Sequence, residues 1–276
     1  MARLWPRAAV GLAAPLNGGG FFLTERPALR LPRIAAVCIT RSHPVILCEC
    51  GKGMKKLAIV SQKGGSGKTT LAVHLAVCAF LRGLRVALID IDPQGSAYDW
   101  NESRPDDDKL AGVKSTAAAL AANLHKAAAA DIDLAIIDTS PHANAEAAIA
   151  AQLADFVLIP CRPARFDLKA VAPTVATVQQ TRTPFAIVLN AAPHGFRIAA
   201  EARTALMNNS GVAVLAEVVH QYAALAHAVI DGRSVHEYEP DGKAADEIDA
   251  LYNNITRLLG FSENGKTRRA ETRVTA

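Results

Sequence analysis

No stretch of this 276-residue sequence approaches the length of a membrane span. Its end, Phe261-Ser262-Glu263-Asn264-Gly265-Lys266-Thr267-Arg268-Arg269 and onward to Ala276, has no apolar stripe and reads as a polar, mildly basic tail. The five cysteines, Cys38, Cys48, Cys50, Cys78 and Cys161, are odd in number and irregularly spaced. That pattern excludes a disulfide framework and fits a reducing, cytoplasmic setting. Cys48 and Cys50 form a C-x-C, but no second Cys or His pair follows nearby, so no metal site is expected from them. Bulk basic charge is missing as well. The formal charge of +4 divides unevenly: residues 1–53 carry seven Lys/Arg against two Asp/Glu (+5), and residues 54–276 carry 23 against 24 (−1). Any contact with DNA therefore has to rest on a local patch. No internal repeat is visible.

Half of the residues are apolar, which is enough to bury the core of one α/β domain. Residues 1–53 differ from the rest: they are rich in Arg, Pro and Gly and show no sustained helical or strand period. They contain no uninterrupted apolar region followed by a small-residue cleavage site, which argues against a signal peptide. Met54-Lys55-Lys56-Leu57 has the look of a natural start directly before a strand. The expected organisation is a disordered arm or mis-called extension over residues 1–53, a folded domain over 54–260, and a flexible tail over 261–276.

Within the domain, strand and helix patterns alternate. Short apolar runs predict strands at Leu57–Ser61, Arg85–Asp90, Leu134–Asp138, Phe156–Pro160, Phe185–Asn190 and Val212–Val219. Helical patterns occupy Lys68–Arg82, Ser115–Ala130, Ala143–Leu153, Asp167–Thr181, Arg197–Asn208 and Asp246–Leu259. Continuous apolar strands between helices predict a doubly wound, mostly parallel sheet with helices on both faces, a three-layer sandwich. Ligands then gather at the carboxyl ends of the strands.

The segment Lys63-Gly64-Gly65-Ser66-Gly67-Lys68-Thr69 lies between the first strand and the first helix. Strand, glycine loop and helix are the context a phosphate-binding loop needs. Glycines let backbone N–H groups close around phosphate oxygens, and the helix N-terminus adds partial positive charge. Lys68 then reaches the β- and γ-phosphates and the Thr69 hydroxyl ligates Mg²⁺. The bland alternative is a Gly-rich turn that binds nothing. Position 62, glycine in the common form of the motif, is Gln62, and an additional lysine, Lys63, stands inside the loop. In this it resembles the deviant Walker A motif of the ParA/MinD family of P-loop ATPases.

Three further segments fit that resemblance. Asp90-Ile91-Asp92-Pro93-Gln94-Gly95 follows the second strand; by itself it is equally a capped strand-to-helix turn. By resemblance Asp92 is the switch residue that orients the attacking water, and Asp90 supports Mg²⁺ waters or the loop. Leu134-Ala135-Ile136-Ile137-Asp138-Thr139-Ser140-Pro141 reads as a Walker B strand and second switch, with Asp138 toward Mg²⁺. A buried strand that merely ends in Asp is the alternative. Ser140 stands where relatives commonly carry proline. Asn190 closes the next strand but one; it suits either an adenine contact or an Asx turn before Pro193.

The resemblance covers roughly residues 54–260 and points to the small ParA type such as ParF. It implies ATP and Mg²⁺ at Gly64, Gly65, Ser66, Gly67, Lys68, Thr69 and Thr70, with Lys63 reaching the phosphates of a second subunit in an ATP-bound homodimer. It implies slow hydrolysis, sequence-independent DNA binding, a ParB-like centromere-binding partner, and a cytoplasmic, nucleoid-associated role in plasmid or chromosome partition. Rival readings are a MinD-like membrane positioning ATPase, which the polar tail disfavours, and a nucleotide-gated assembly protein with negligible hydrolysis.

Overall fold

The computed structural model describes residues 37–40, 43–46, 53–141, 144–210 and 212–261. Ahead of the main sheet, β1 (Val37–Thr40) and β2 (His43–Ile46) pair antiparallel, in register from Val37↔Ile46 to Thr40↔His43. Both four-residue strands lie within residues 1–53, where the sequence shows no sustained strand period. The rest of that expected arm, and the tail after Phe261, lie outside the described residues.

The main sheet has seven strands, all parallel, in the order β5-β4-β6-β3-β7-β8-β9. They are β3 (Lys55–Ile59), β4 (Val86–Asp90), β5 (Ala111–Lys114), β6 (Leu134–Asp138), β7 (Phe156–Cys161), β8 (Phe185–Ala192) and β9 (Val214–His220). The expected doubly wound fold is the one found. β4, β6 and β7 are buried at every position, because both faces of a parallel sheet carry helices.

Alternation along the strands divides the interior into two cores. Leu57 and Ile59 join Leu88, Leu134 and Ile136 on one face, where α1 (Lys68–Leu81), α7 (Ala223–Ile230) and α9 (Lys243–Leu258) pack. Ala58 and Val60 join Ile89, Ile137 and Ile159 on the other, under α3 (Ala117–Ala129), α4 (Asn144–Leu153), α5 (Arg165–Thr181) and α6 (Phe196–Ser210). A one-residue slip of register would exchange these two sets, so the cores fix the pairing.

The topology puts β3 at the point where the strand order turns: β6 lies on one side of it and β7 on the other. The loop leaving β3 therefore opens into the crevice at the sheet's carboxyl edge. Register does the rest. Ile59 and Asp90 both pair with Asp138, so the acidic ends of β4 and β6 stand beside the start of the glycine loop.

Several elements escaped the sequence reading: α2 (Ser96–Glu102), edge strand β5, α7, and α8 (Val235–Tyr238). Each is four to eight residues long, too short to display a period. The Asp106–Asp108 run forms one exposed 3₁₀ turn. α3 begins at Ala117, two residues after the expected start at Ser115, and Thr116 caps it: its side chain accepts from the Ala119 N–H at 3.3 Å. α9 begins at Lys243, three residues before the expected start at Asp246.

Candidate functional site

The loop between β3 and α1 is held by its own backbone. Gly65 and Gly67 take positive φ, 72° and 91°, a region where a Cβ is strained. At Gly67 a Cβ would also run into Nδ2 of Asn190. Gly67 is the N-cap of α1 and supplies no side chain, so the helix begins without a side-chain acceptor for its first N–H groups. Ser66 is buried, and its Oγ has no partner among the described residues. An uncapped helix start and an orphaned buried hydroxyl beside glycines are what a phosphate group would satisfy.

The two lysines of the loop lie in opposite environments. Lys68 is only 6 % exposed, and burial lowers the affinity of its ammonium for a proton, with Asp138 and Asp92 pulling the other way. Lys63 is exposed at the rim. It lines a small cleft with Ser61, Ser66, Cys161, Arg162 from the segment leading into α5, and Asp167 from the first turn of that helix.

Thr69, in the first turn of α1, donates through Oγ1 to Oδ2 of Asp138 at 2.6 Å. Asp138 is fully buried, and burial pushes its carboxyl up to about 7; the Thr69 hydroxyl and Lys68 oppose the shift, Asp90 and Asp92 add to it. A hydroxyl and a carboxylate already in contact form a hard-oxygen pair suited to Mg²⁺. The residues expected to hold metal, Thr69 and Asp138, are thus brought together.

Of the two roles expected for Asp90, metal waters or the loop, its contacts are with backbone. Its carboxylate accepts the N–H groups of Asp92 (2.9 Å), Ala97 (2.9 Å) and Tyr98 (3.1 Å). It fixes the turn and the start of α2 and has little left for metal waters. Asp92 accepts the Gln94 N–H at 3.0 Å, an Asx turn that orients the half-buried carboxylate near Lys68.

Asn190 is not in a turn: β8 continues through it to Ala192, and its Nδ2 donates to the Ser66 carbonyl at 2.7 Å. The Asx-turn alternative is therefore wrong. Asn190 braces the phosphate loop from beneath, and one amide proton is spent there. Gln62 ties the other side of the loop to α5, its N–H reaching Thr174 Oγ1 at 3.1 Å and its Nε2 reaching Thr177 Oγ1 at 3.3 Å. Neither brace was legible, because both partners are remote in sequence. Thr70 lies in the first turn of α1. Ser140 donates to Glu146 Oε2 at 2.5 Å, which ties the segment after β6 to α4. His142 lies outside the described residues. His74 is structural: with Nε2 as donor to the Leu225 carbonyl and Nδ1 accepting from the Val235 N–H, both at 3.1 Å, burial holds it down at about 4.

Residues 57–235 match the model of the CobQ/CobB/MinD/ParA nucleotide binding domain. The chain is 32 % identical over 210 residues to Maintenance of carboxysome distribution protein A of Halothiobacillus neapolitanus, covering 72 % of this chain and 95 % of that protein. It is 24 % identical to the chromosome-partitioning ATPase Soj of Thermus thermophilus, covering 70 % of this chain and 91 % of that one. Among solved structures, a Cyanothece McdA–ATP complex superposes with a TM-score of 0.61 at 21 % identity, over 77 % of this chain and 99 % of that one, a likeness of fold. No helix among the described residues is long and apolar enough to cross a membrane. The glycine loop, its paired acids and these matches agree: this chain belongs to the CobQ/CobB/MinD/ParA nucleotide-binding domain family.

Proposed function

We propose that the chain is a cargo-positioning ATPase of the ParA type, which closes into a face-to-face homodimer on ATP and hydrolyses it slowly. The observation that carries this reading is the division of labour between the loop's two lysines. Lys68 is buried under the loop, placed for phosphates of its own subunit, whereas Lys63 stands exposed at the rim, free to meet the phosphates of another. Relatives named for carboxysome distribution and for chromosome partitioning support a positioning role.

In this reading Gly64, Gly65, Ser66, Gly67, Thr69 and Thr70 cradle the triphosphate. Thr69 and Asp138 would hold Mg²⁺, which would neutralise phosphate charge. Asp92, fixed by its Asx turn, orients the attacking water. Lys63 and Lys68 together place positive charge where negative charge spreads in the transition state. Asn190 acts on the loop first; a contact to adenine would use its remaining hydrogen-bonding capacity. The ATP dimer binds DNA through Lys/Arg contacts to phosphates, works in the cytoplasm on the nucleoid, and is stimulated by a ParB-like adaptor bound to the cargo.

Lys63→Ala is the test. It should keep nucleotide binding and lose ATP-dependent dimerisation in sizing experiments, while Lys68→Ala loses binding itself. A dimer that survives Lys63→Ala refutes the cross-subunit role. Co-sedimentation of the ATP form with liposomes, in place of DNA, would favour the membrane reading.

A further inference from the structure

At the far end of α1 from the phosphate loop, three donors of different chemistry converge. Cys78 Sγ, a His236 ring nitrogen and an Asp249 oxygen lie within 4.8 Å of one another. They come from α1, α8 and α9 and are up to 171 residues apart in sequence, so no ligand spacing betrays them. Cys78 is fully buried, the His236 side chain is 10 % exposed, and Asp249 is 38 % exposed, which opens the cluster to solvent on the carboxylate side. Asp249 Oδ1 is 2.6 Å from His236 Nε2 and 3.4 Å from Cys78 Sγ.

A cation already rests on two of these atoms. The Arg82 guanidinium sits 2.5 Å from Cys78 Sγ and 2.8 Å from Asp249 Oδ1, its carbon 4.8 Å from the centre of the Tyr252 ring. Arg82 stands just past the last turn of α1, and its side chain is 26 % exposed, so it can swing into water. His236 Nδ1 has no partner among the described residues, so no second hydrogen bond locks the ring.

We propose that this cluster is a zinc site, with Cys78, His236 and Asp249 as ligands and Zn²⁺ taking the position the Arg82 guanidinium now holds. One thiolate, one imidazole and one carboxylate form a donor set Zn²⁺ accepts, with bonds of about 2.3 Å to sulfur and about 2.0–2.2 Å to nitrogen and oxygen. In a tetrahedron of those bonds neighbouring ligand atoms stand about 3.3–3.7 Å apart. The sulfur–oxygen separation already matches, and the nitrogen–oxygen contact must open by about an ångström, its hydrogen bond giving way to the metal. The fourth position, toward solvent, is open to water. Loading sends the Cys78 thiol proton to solvent and moves the His236 proton from Nε2 to Nδ1. The metal would staple the helix that carries Lys68 and Thr69 to α8 and α9, away from the nucleotide.

The test uses the full chain with Cys38, Cys48 and Cys50 changed to serine, so that Cys78 and Cys161 remain. After chelator treatment, Zn²⁺ is titrated against a chromophoric competitor and Co²⁺ is added to a parallel sample. The expected result is one equivalent of Zn²⁺ and a thiolate-to-cobalt charge-transfer band, both lost in Cys78→Ser and in His236→Gln. Arg82→Gln should tighten Zn²⁺ at least about tenfold, because a competing charge leaves the site. A cluster held together only by its hydrogen bonds gives no such tightening. Absence of the cobalt band, or one-equivalent binding that survives Cys78→Ser, overturns the proposal.

Discussion

Asp138→Asn should make the nucleotide-free protein more stable while removing its use for Mg²⁺. The carboxyl is fully buried and pushed by that burial from its ordinary 3.8 to about 7. An acid whose value is higher folded than unfolded binds more protons when folded. Its contribution is therefore intact below pH 4, falls as pH rises, and is fully lost above about 7. Each unit is worth about 1.4 kcal/mol, so ionising this group costs the fold roughly 4 kcal/mol at pH 8. The attraction of Lys68 is already contained in that value, since it opposes the shift. A net gain of up to about 4 kcal/mol is therefore expected at pH 8, and it shrinks toward pH 4. Urea unfolding of wild type and Asp138→Asn from pH 4 to pH 8, without nucleotide, reads this directly. Equilibrium binding of a fluorescent ATP analogue with and without Mg²⁺ reads the other half: the Mg²⁺-dependent gain in affinity should disappear in the variant. If Asp138→Asn is no more stable than wild type at pH 8, or its advantage does not depend on pH, the burial argument is wrong.

Two more outcomes follow from particular contacts. Arg104 is buried at 1 % exposure and is held by Glu237 (2.7 and 3.0 Å) and by the carbonyls of Gly232 (2.9 Å) and Asp108 (3.0 Å), with Trp100 beneath it. Glu237→Gln should cost about 3 kcal/mol in chemical denaturation, since it strands a buried cation. Burial raises the Glu237 carboxyl, but Arg104 and the Ser234 N–H outweigh it and hold it below the usual range, so this contribution fades as pH falls into the acid range. Gly67→Ala should lower ATP affinity and cost about 1–2 kcal/mol of stability, because it combines positive φ with a collision at Asn190. Adding Asn190→Ala should recover part of the loss in a double-mutant cycle, and strict additivity would show that the two residues do not meet.

The residues themselves determined a good deal. Continuous apolar runs and the Gly64–Thr69 loop were enough for the parallel sheet, the loop's place between strand and helix, and the pairing of Thr69 with an acidic strand end, since these depend on local pattern and on where strands of such a sheet end. Tertiary structure alone decided the rest. Asp90 and Asp92 look alike in sequence, yet one is spent on the backbone of α2 and the other on its own turn near Lys68. Asn190 and Gln62 became braces of the loop only because β8 and α5 pass beneath and beside it. Cys78, His236 and Asp249 meet through the packing of three helices. A linear pattern records the period of one element and the chemistry of one turn, whereas contacts between elements are set by which faces the two cores bury against each other, and that choice is made by the whole chain at once.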